Sequence, residues 1–152
     1  MDDNSLLLEN QLCFPLYAAA KEVLNRYKPM LDEIGLTYTQ YIVMMVLWED
    51  KQLSASGLGE RLHLDSGTLT PLLKRLAEKG LIRRERSKQD ERQVDISLTE
   101  EGEALKEKAI SIPQKISRCI NLEPEEAFTL YRLLYKVLVP GTCDMEAQEP
   151  SD

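Results

Sequence analysis

The sequence predicts a mainly α-helical fold with one small β-hairpin. Apolar residues recur at helical spacing along several segments of the 152-residue chain. Two short β-prone runs, 81–86 and 94–98, flank the polar stretch 87–93, a pattern typical of a hairpin. The composition, 43% hydrophobic and 30% charged, is that of a folded chain. A chain of this length supports one domain, here with helical extensions.

Composition excludes several classes of protein. No stretch approaches the ~20 apolar residues of a membrane helix, and the acidic N-terminus lacks the basic region of a secretory signal. We therefore expect a cytoplasmic protein without a membrane partner. Three cysteines argue against a disulfide framework, and the single histidine, His63, argues against a zinc or iron site. We expect neither a metal nor a cofactor.

The first half of the chain reads as two long helices. Residues 5–32 carry a wide apolar stripe that indicates more than one packing surface. Pro15 is expected to kink this helix or to make its first part irregular, and Pro29 to weaken its end. Thr37 is a suitable N-cap for the nearly continuous apolar run 38–50, which predicts a buried helix.

Two capped helices and the hairpin follow. A short helix is expected to begin after Ser54, and a longer one spans 65–80, capped by Asp65 or Ser66 and ended by Gly80. The longer helix has a stripe of leucines that we expect to be buried: Leu69, Leu72, Leu73 and Leu76.

The C-terminal part is again helical. Thr99 is a good N-cap for a helix that we expect to run to about Cys119 with a kink at Pro113. A last helix is predicted over 124–139. The polar, acidic stretch 140–152 is predicted to be a disordered tail.

This order of elements is the winged helix-turn-helix plan, and the charge distribution fits DNA binding. The whole chain has a net charge of −7, yet residues 61–92 hold nine Lys/Arg against five Asp/Glu. A basic island in an acidic body can still meet phosphate, because the local field governs that contact. The alternative is a solvated surface, but that would not account for the caps and the hairpin together.

In this plan the capped helix enters the major groove with its N-terminal residues, and the hairpin loop reaches the backbone or minor groove. Small hydroxyl donors suit phosphates and base edges, and cations suit phosphates. The predicted DNA-binding residues are therefore Ser66, Thr68, Thr70, Pro71, Lys74 and Arg75 on the helix, with Arg84, Lys88 and Arg92 on the hairpin.

Residues 58–102 resemble the MarR family of bacterial transcription regulators. The segments 90–92 (DER) and 98–102 (LTEEG) are the most specific parts. The stretches LENQLCF (8–14), RYKPML (26–31) and LTYTQYIVMMVLWE (36–49) are similar to the branch that senses organic hydroperoxides, OhrR. That branch consists of homodimers that repress peroxide-resistance genes until a cysteine near the N-terminus is oxidised.

The resemblance implies three functional regions along the chain. Residues 1–35 and 99–139 would form the helical dimerisation region, 36–98 the winged helix-turn-helix lobe, and 140–152 the flexible tail. A two-fold dimer implies a pseudo-palindromic operator, with recognition helices about 34–36 Å apart. Asp65 and Arg92 match a pair that links wing and recognition helix in this family. Asp65 is equally compatible with simple N-capping.

For the sensor, the resemblance implies Cys13, with Tyr27 and Tyr38 as hydrogen-bond donors within the chain or across the dimer. Tyrosine hydroxyls favour the thiolate, which is the form that attacks peroxide. Tyr17, one turn after Cys13, is a weaker candidate. Without the resemblance, Cys13 would read as an inert buried hydrophobe.

The oxidised sensor needs a second thiol or stops at the sulfenic acid. Some family members use a resolving cysteine late in the long helix of the partner, which makes Cys119 a possible resolving residue. Cys143 and a small external thiol are the alternatives. We further expect an apolar pocket, formed by Phe14, Leu16 and Met45, to favour organic hydroperoxides.

Three other functions remain open at this stage. Many relatives with this fold answer to a small aromatic ligand instead of thiol oxidation. A protein-interaction module would not need Ser66, Thr68, Thr70 and Arg92. A thiol peroxidase would need a reductant, and neither a Cys-x-x-Cys pair nor a Thr-x-x-Cys motif surrounds Cys13. We therefore expect a non-enzyme that binds operator DNA as a homodimer, with organic hydroperoxide as oxidant.

Overall fold

The structure is a computed structural model that describes residues 3–139. The chain divides after Cys119 into two compact units. The first unit contains six helices and three strands within the described range: α1 Cys13–Asp32, α2 Tyr38–Asp50, β1 Gln52–Ser54, α3 Ala55–Leu62, α4 Ser66–Glu78, β2 Ile82–Arg86, β3 Val94–Leu98, α5 Glu100–Ala109 and α6 Ile112–Ser117. The second unit contains α7, Pro124–Leu138.

The first helix starts later than its apolar stripe suggests. Residues 3–6 and 8–10 form two 3-10 turns, and α1 begins only at Cys13, so the prediction of a helix from residue 5 is wrong. Pro15 lies in the first turn of α1, where its missing N–H has no intrahelical partner to lose. The irregular start is thus confirmed and the kink is not. Pro29 does not end the helix, which continues to Asp32.

Helix α2 is the centre of the core. The Thr37 side chain accepts from the Gln40 N–H, and the Gln40 side chain accepts from the Thr37 N–H, a reciprocal capping box that confirms the predicted cap. Helices α3 and α4 pack against α2 with the predicted leucine stripe of α4 buried. Removing this apolar surface from water is the main stabilising term.

The predicted hairpin is confirmed, and a third strand joins it. Strands β2 and β3 pair antiparallel, from Ile82 opposite Leu98 to the loop end. The unpredicted β1 pairs with the other edge of β3, with Leu53 opposite Ile96, giving the order β1-β3-β2. A strand of three residues is too short to show alternation in a sequence, so its only signal is its partner.

The predicted long helix after Thr99 is two helices. Thr99 caps α5 as expected, its hydroxyl accepting from the Gly102 N–H at 3.0 Å. The chain then breaks at 110–111, and Pro113 occupies the first turn of α6. A proline is favourable at that position and disruptive inside a helix, so the predicted kink is a break.

Helix α7 begins at Pro124, as predicted. A capping box between Glu123 and Glu126 stabilises its N-terminus. None of its residues is buried. Large apolar side chains are exposed along it: Phe128, Leu130, Tyr131, Leu133, Tyr135, Val137 and Leu138. The predicted tail, 140–152, lies outside the described residues. None of the helices in 3–139 combines the length and apolar composition needed to cross a membrane.

Candidate DNA-binding and sensing sites

The N-terminus of α4 is held by one carboxylate. Asp65 accepts the Thr68 backbone N–H at 2.9 Å and the Thr68 hydroxyl at 3.1 Å, which decides the cap in favour of Asp65 over Ser66. The two hydrogen bonds from Thr68, the backbone one first, hold the pKa of Asp65 below its ordinary value. The cap fixes the first turn of the helix and leaves the Thr68 hydroxyl oxygen free to accept.

Helix α4 has one buried and one exposed face. The leucine stripe is buried, whereas all six predicted DNA-binding residues of this helix are exposed: Ser66, Thr68, Thr70, Pro71, Lys74 and Arg75. The exposed face combines hydroxyls in the first turns with two cations further along. This arrangement suits a helix whose N-terminal end meets base edges and phosphates.

The wing is an ordered turn with cations on it. The Ser87 N–H donates to the Gln93 carbonyl at 2.9 Å, and the Gln93 N–H donates to the Asp90 carbonyl at 2.9 Å. The Arg92 backbone N–H donates to the Asp90 carboxylate at 3.0 Å. These bonds shape the loop and leave the side chains of the predicted contacts exposed: Arg84, Lys88 and Arg92.

The predicted link between Asp65 and Arg92 is not an ion pair here. The ion pairs formed among residues 3–139 do not include one between these two side chains. Both Asp65 carboxylate oxygens are engaged with Thr68. The capping role of Asp65 is confirmed, and the link to the wing stays a prediction.

The predicted tyrosine pair forms part of a cluster. The rings of Tyr27 and Tyr38 lie 4.9 Å apart, and Tyr41 completes the group with ring centres 6.0 Å and 6.4 Å from them. Tyr41 also packs edge-on against Trp48, with ring centres 6.3 Å apart. Sequence reasoning missed Tyr41, although its position three residues after Tyr38 on α2 places both on one helix face.

The cluster keeps its hydroxyl protons. Burial, with the neighbouring Tyr38 and Tyr41, raises the pKa of Tyr27 to about 12. Burial likewise raises the pKa of Tyr38, and burial with Tyr38 raises that of Tyr41. At neutral pH all three are neutral phenols and therefore hydrogen-bond donors, the form that stabilises a thiolate.

Cys13 lies far from this cluster in its own chain. It is the first residue of α1, it is exposed, and Tyr27 follows 14 residues later on the same helix. At 1.5 Å per residue the two positions are about 21 Å apart along the axis. No side chain spans that gap, so Tyr27 and its neighbour Tyr38 can reach a Cys13 only in another chain.

Cys119 sits at the tyrosine end of α1. The Arg26 guanidinium donates to the Cys119 backbone carbonyl and also to Glu22, one turn earlier on α1. The Cys119 thiol is exposed and donates to the Lys115 carbonyl, with sulfur and oxygen 3.4 Å apart. This bond places Cys119 at the end of α1 that carries Tyr27, opposite to the end that carries Cys13. Cys143 lies outside the described residues.

The expected apolar pocket is divided. Met45 lines a cavity of about 380 Å³ with other residues of α2, α5, α6 and the break between α5 and α6: Tyr41, Trp48, Glu49, Lys106, Ala109, Ile110 and Pro113. Phe14 lines a separate cavity with Leu7, Leu8 and Glu9. A pocket shared by Phe14 and Met45 thus does not form within one chain. Among residues 3–139, no group of three His, Cys, Asp or Glu could hold a metal ion.

Comparison with known proteins places the chain among transcription regulators. The family model of the transcriptional regulator SarA/Rot matches residues 25–109. The organic hydroperoxide resistance transcriptional regulator of Bacillus subtilis is 51% identical over 131 residues, covering 86% of this chain and 89% of that protein. The solved structure of MarR from E. coli, a mutant with operator DNA, is 25% identical with a TM-score of 0.75, covering 91% of this chain and 99% of that one.

The chain belongs to the MarR family, in its organic hydroperoxide regulator branch. A third relative, AbfR of Staphylococcus epidermidis, has been solved in reduced, overoxidised and disulfide-formed states. Reduced AbfR bound to DNA is 35% identical with a TM-score of 0.74, covering 91% of this chain and 97% of that one. Disulfide-formed AbfR is 36% identical with a TM-score of 0.60, covering 90% and 92%. The winged helix-turn-helix prediction is confirmed, and this chain is a DNA-binding transcription regulator.

Proposed function

We propose that this MarR-family chain is a homodimeric repressor that leaves its operator when an organic hydroperoxide oxidises Cys13. The observation that carries the proposal is the separation of the thiol from its donors. Exposed Cys13 opens α1, while the protonated Tyr27–Tyr38 pair lies about 21 Å further along. The thiol and its donors meet when one chain of a dimer supplies Cys13 and the other supplies Tyr27 and Tyr38.

The exposed apolar surface supports a dimer. Helix α1 leaves Phe14, Leu16, Tyr17 and Leu24 exposed, and α7 leaves most of its apolar side chains exposed. A monomer rarely leaves large apolar patches in water, and isologous association of two copies would cover the apolar faces of these helices. The dimerisation segments are 1–35 and 99–139, and the DNA-binding lobe is 36–98.

Each subunit presents α4 and the wing to DNA. The exposed hydroxyls and cations of α4 enter the major groove, and Lys88 and Arg92 contact the neighbouring backbone or minor groove. In this complex Arg92 turns toward Asp65 and couples wing and helix. The two-fold axis requires a pseudo-palindromic operator with half-sites about one helical turn apart.

The chemistry is a two-electron oxidation of sulfur. Hydroxyl donors from the partner favour the Cys13 thiolate, whose sulfur attacks one peroxide oxygen and breaks the O–O bond. The alkoxide leaves as the alcohol after taking a proton, and Cys13 becomes a sulfenic acid. A second thiol then attacks the sulfenic sulfur, forming a disulfide and releasing water.

Cys119 is the proposed second thiol. Arg26, the residue before Tyr27 on α1, bonds its backbone carbonyl, so Cys119 is exposed at the same end of α1 as the tyrosine that a partner Cys13 would reach. The disulfide would then join the two subunits. The relative AbfR has been solved with a disulfide formed, which supports a disulfide as the oxidised state proposed here. Cys143 and an external thiol stay as alternatives, and either also changes the dimer interface in which Cys13 sits.

Replacing both Tyr27 and Tyr38 with phenylalanine is expected to slow Cys13 oxidation by about tenfold or more. A hydrogen bond to a charged group contributes about 1.5–3 kcal/mol, and about 1.4 kcal/mol is a tenfold change in an equilibrium. The rate of sulfenic acid formation at fixed pH, followed with a sulfenate-trapping reagent, measures the effect.

Tyr17→Phe is the comparison variant, because Tyr17 is the weaker donor candidate: it is exposed on α1 and its ring contacts Lys21 instead of the cluster. It should oxidise at the parent rate. Equal rates in the parent and in the Tyr27→Phe/Tyr38→Phe variant would contradict the donor role of the pair.

A second candidate is regulation by a small aromatic acid. The observation that favours it is the cavity of about 380 Å³ beside Tyr41, whose lining is mostly apolar and includes Lys106 as a cation, with Glu49 as the acidic residue of the lining. Regulation through this cavity would leave the response to ligand intact in Cys13→Ser, whereas the redox function requires that thiol.

A further inference from the structure

Lys79 connects the recognition helix to the region of the tyrosine cluster. It caps the C-terminus of α4, and its Nζ donates to the Gly35 carbonyl at 2.5 Å and to the Gln40 Oε1 at 3.1 Å. Both acceptors are neutral, and the ion pairs formed in the described range 3–139 leave Lys79 out. Its ammonium group therefore joins two elements and balances no carboxylate.

Gln40 is the junction at the other end of this contact. Its side chain is part of a residue only 4% exposed, and the same Oε1 that meets Lys79 accepts the Thr37 backbone N–H at 3.1 Å. The capping box of α2 and the Lys79 side chain thus share the Gln40 Oε1 atom. We call the Lys79 contacts to Gly35 and Gln40 the latch. Tyr38 follows Thr37 directly and Tyr41 follows Gln40, so the first turn of α2 carries two of the three cluster tyrosines.

We propose that Lys79 is a positioning residue that makes the recognition helix follow the state of the tyrosine cluster. This role rests on the proposed redox function. Loss of the hydrogen bond from Tyr38 when the thiolate is oxidised frees the first turn of α2 to shift. The Lys79 contacts to Gly35 and Gln40 carry that shift into α4.

The end of α4 has a second attachment that does not depend on Lys79. The Thr99 hydroxyl donates to the Gly80 carbonyl at 2.6 Å, and the Thr99 N–H donates to the Leu81 carbonyl at 3.2 Å. These bonds fix α4 to the start of α5. A chain without the Lys79 ammonium therefore keeps α4 in place, packed on α2 through its leucines, and loses only the polar contacts to Gly35 and to the first turn of α2. This separates transmission from folding.

The test compares operator affinity before and after oxidation in full-length Lys79→Met, Lys79→Arg and the parent. The parent is expected to lose affinity on oxidation, and Lys79→Met to lose about fivefold less, since residues that carry coupling alter it by factors of about 2–30. Lys79→Arg keeps a cationic donor and should restore most of the response. Lys28→Met is the matched control, because the hydrogen bond that Lys28 forms among residues 3–139 stays on its own helix, to Asp32 at 2.7 Å.

Two further readouts separate transmission from other roles of a lysine. Cys13 should form sulfenic acid at the parent rate in Lys79→Met, since the latch acts after oxidation. The slope of log affinity against log salt should also be unchanged in the reduced protein, because a lost phosphate contact would lower it by about one. A lowered slope would make Lys79 a DNA contact and overturn the proposal.

The outcomes distinguish this inference from the function beneath it. A parent that responds to oxidation and a Lys79→Met chain that responds equally would refute the role of Lys79 alone. A parent whose operator affinity does not change on complete oxidation would refute the redox function and the latch together. A reduced response in Lys79→Met, restored by Lys79→Arg and absent from Lys28→Met, supports it.

Discussion

Gly102→Ala is expected to lower the free energy of unfolding by about 3 kcal/mol or more, because the added methyl meets backbone that has no room to yield. A Cβ at this position would lie 2.1 Å from the Leu81 carbonyl oxygen and 3.1 Å from a Leu98 methyl. Gly102 lies in the first turn of α5, and its carbonyl accepts the Trp48 indole N–H at 2.8 Å. Moving α5 outward to admit the methyl would strain that buried bond.

The position also holds three elements together. The Leu81 carbonyl that Gly102 approaches accepts the Thr99 N–H, and Lys51 at the end of α2 pairs with Glu103 at 2.6 Å. The base of the wing, the end of α2 and the start of α5 therefore share one contact region. Urea unfolding of the variant measures the loss.

Gly67→Ala is the control for this prediction. Gly67 lies in α4 at an exposed position, and its added Cβ would meet only the Asp65 side-chain oxygen at 3.1 Å. Alanine also has the better helix propensity, so the unfolding free energy should change by less than about 1 kcal/mol. A Gly102→Ala chain as stable as the parent would show that α5 and Leu81 do not approach this closely.

Leu130→Glu/Val137→Glu is expected to make the protein monomeric and to weaken operator binding by about 100-fold or more. The two residues lie two turns apart on one stripe of α7 and are 44% and 66% exposed. Burying two carboxylates in an apolar interface is costly. A monomer loses the avidity of two linked half-site contacts, which is worth a factor of about 10²–10⁴.

Arg132→Glu on the same helix is the control, since it changes the net charge by the same −2 at a polar position. It should remain dimeric. Sedimentation equilibrium gives the oligomeric state, and titration of a labelled operator gives the affinity. A Leu130→Glu/Val137→Glu protein that stays dimeric with parental affinity would exclude this stripe of α7 from the interface.

Local signals predicted most of the fold. The predicted N-caps are confirmed at four helices, with Asp65 taken from the two candidates for α4: Thr37, Ser54, Asp65 and Thr99. An N-cap can be predicted because it depends on a few neighbouring residues. The errors arise where tertiary contacts, or the position of a residue within a turn, determine the secondary structure. The apolar run before Cys13 forms 3-10 turns instead of helix, and β1 exists only through its pairing with β3.

Most residues of the candidate sites could be predicted from the sequence, but the distances and contacts between them could not. The resemblance of the sequence to its family indicated Cys13, Tyr27 and Tyr38, but not the distance between the thiol and the tyrosines, which follows from the length of α1. Lys79 gave no signal, because its partners lie 44 and 39 residues away in the chain. Long-range contacts of this kind are invisible to pattern and spacing alone.

The central claim is that oxidation of Cys13 releases the operator, and one titration tests it most directly. Reduced protein bound to a labelled operator is titrated with an organic hydroperoxide, alongside Cys13→Ser, which removes the sulfur and keeps a small polar side chain. The account predicts release from the parent and none from Cys13→Ser. Release from both proteins, or from neither, would contradict it.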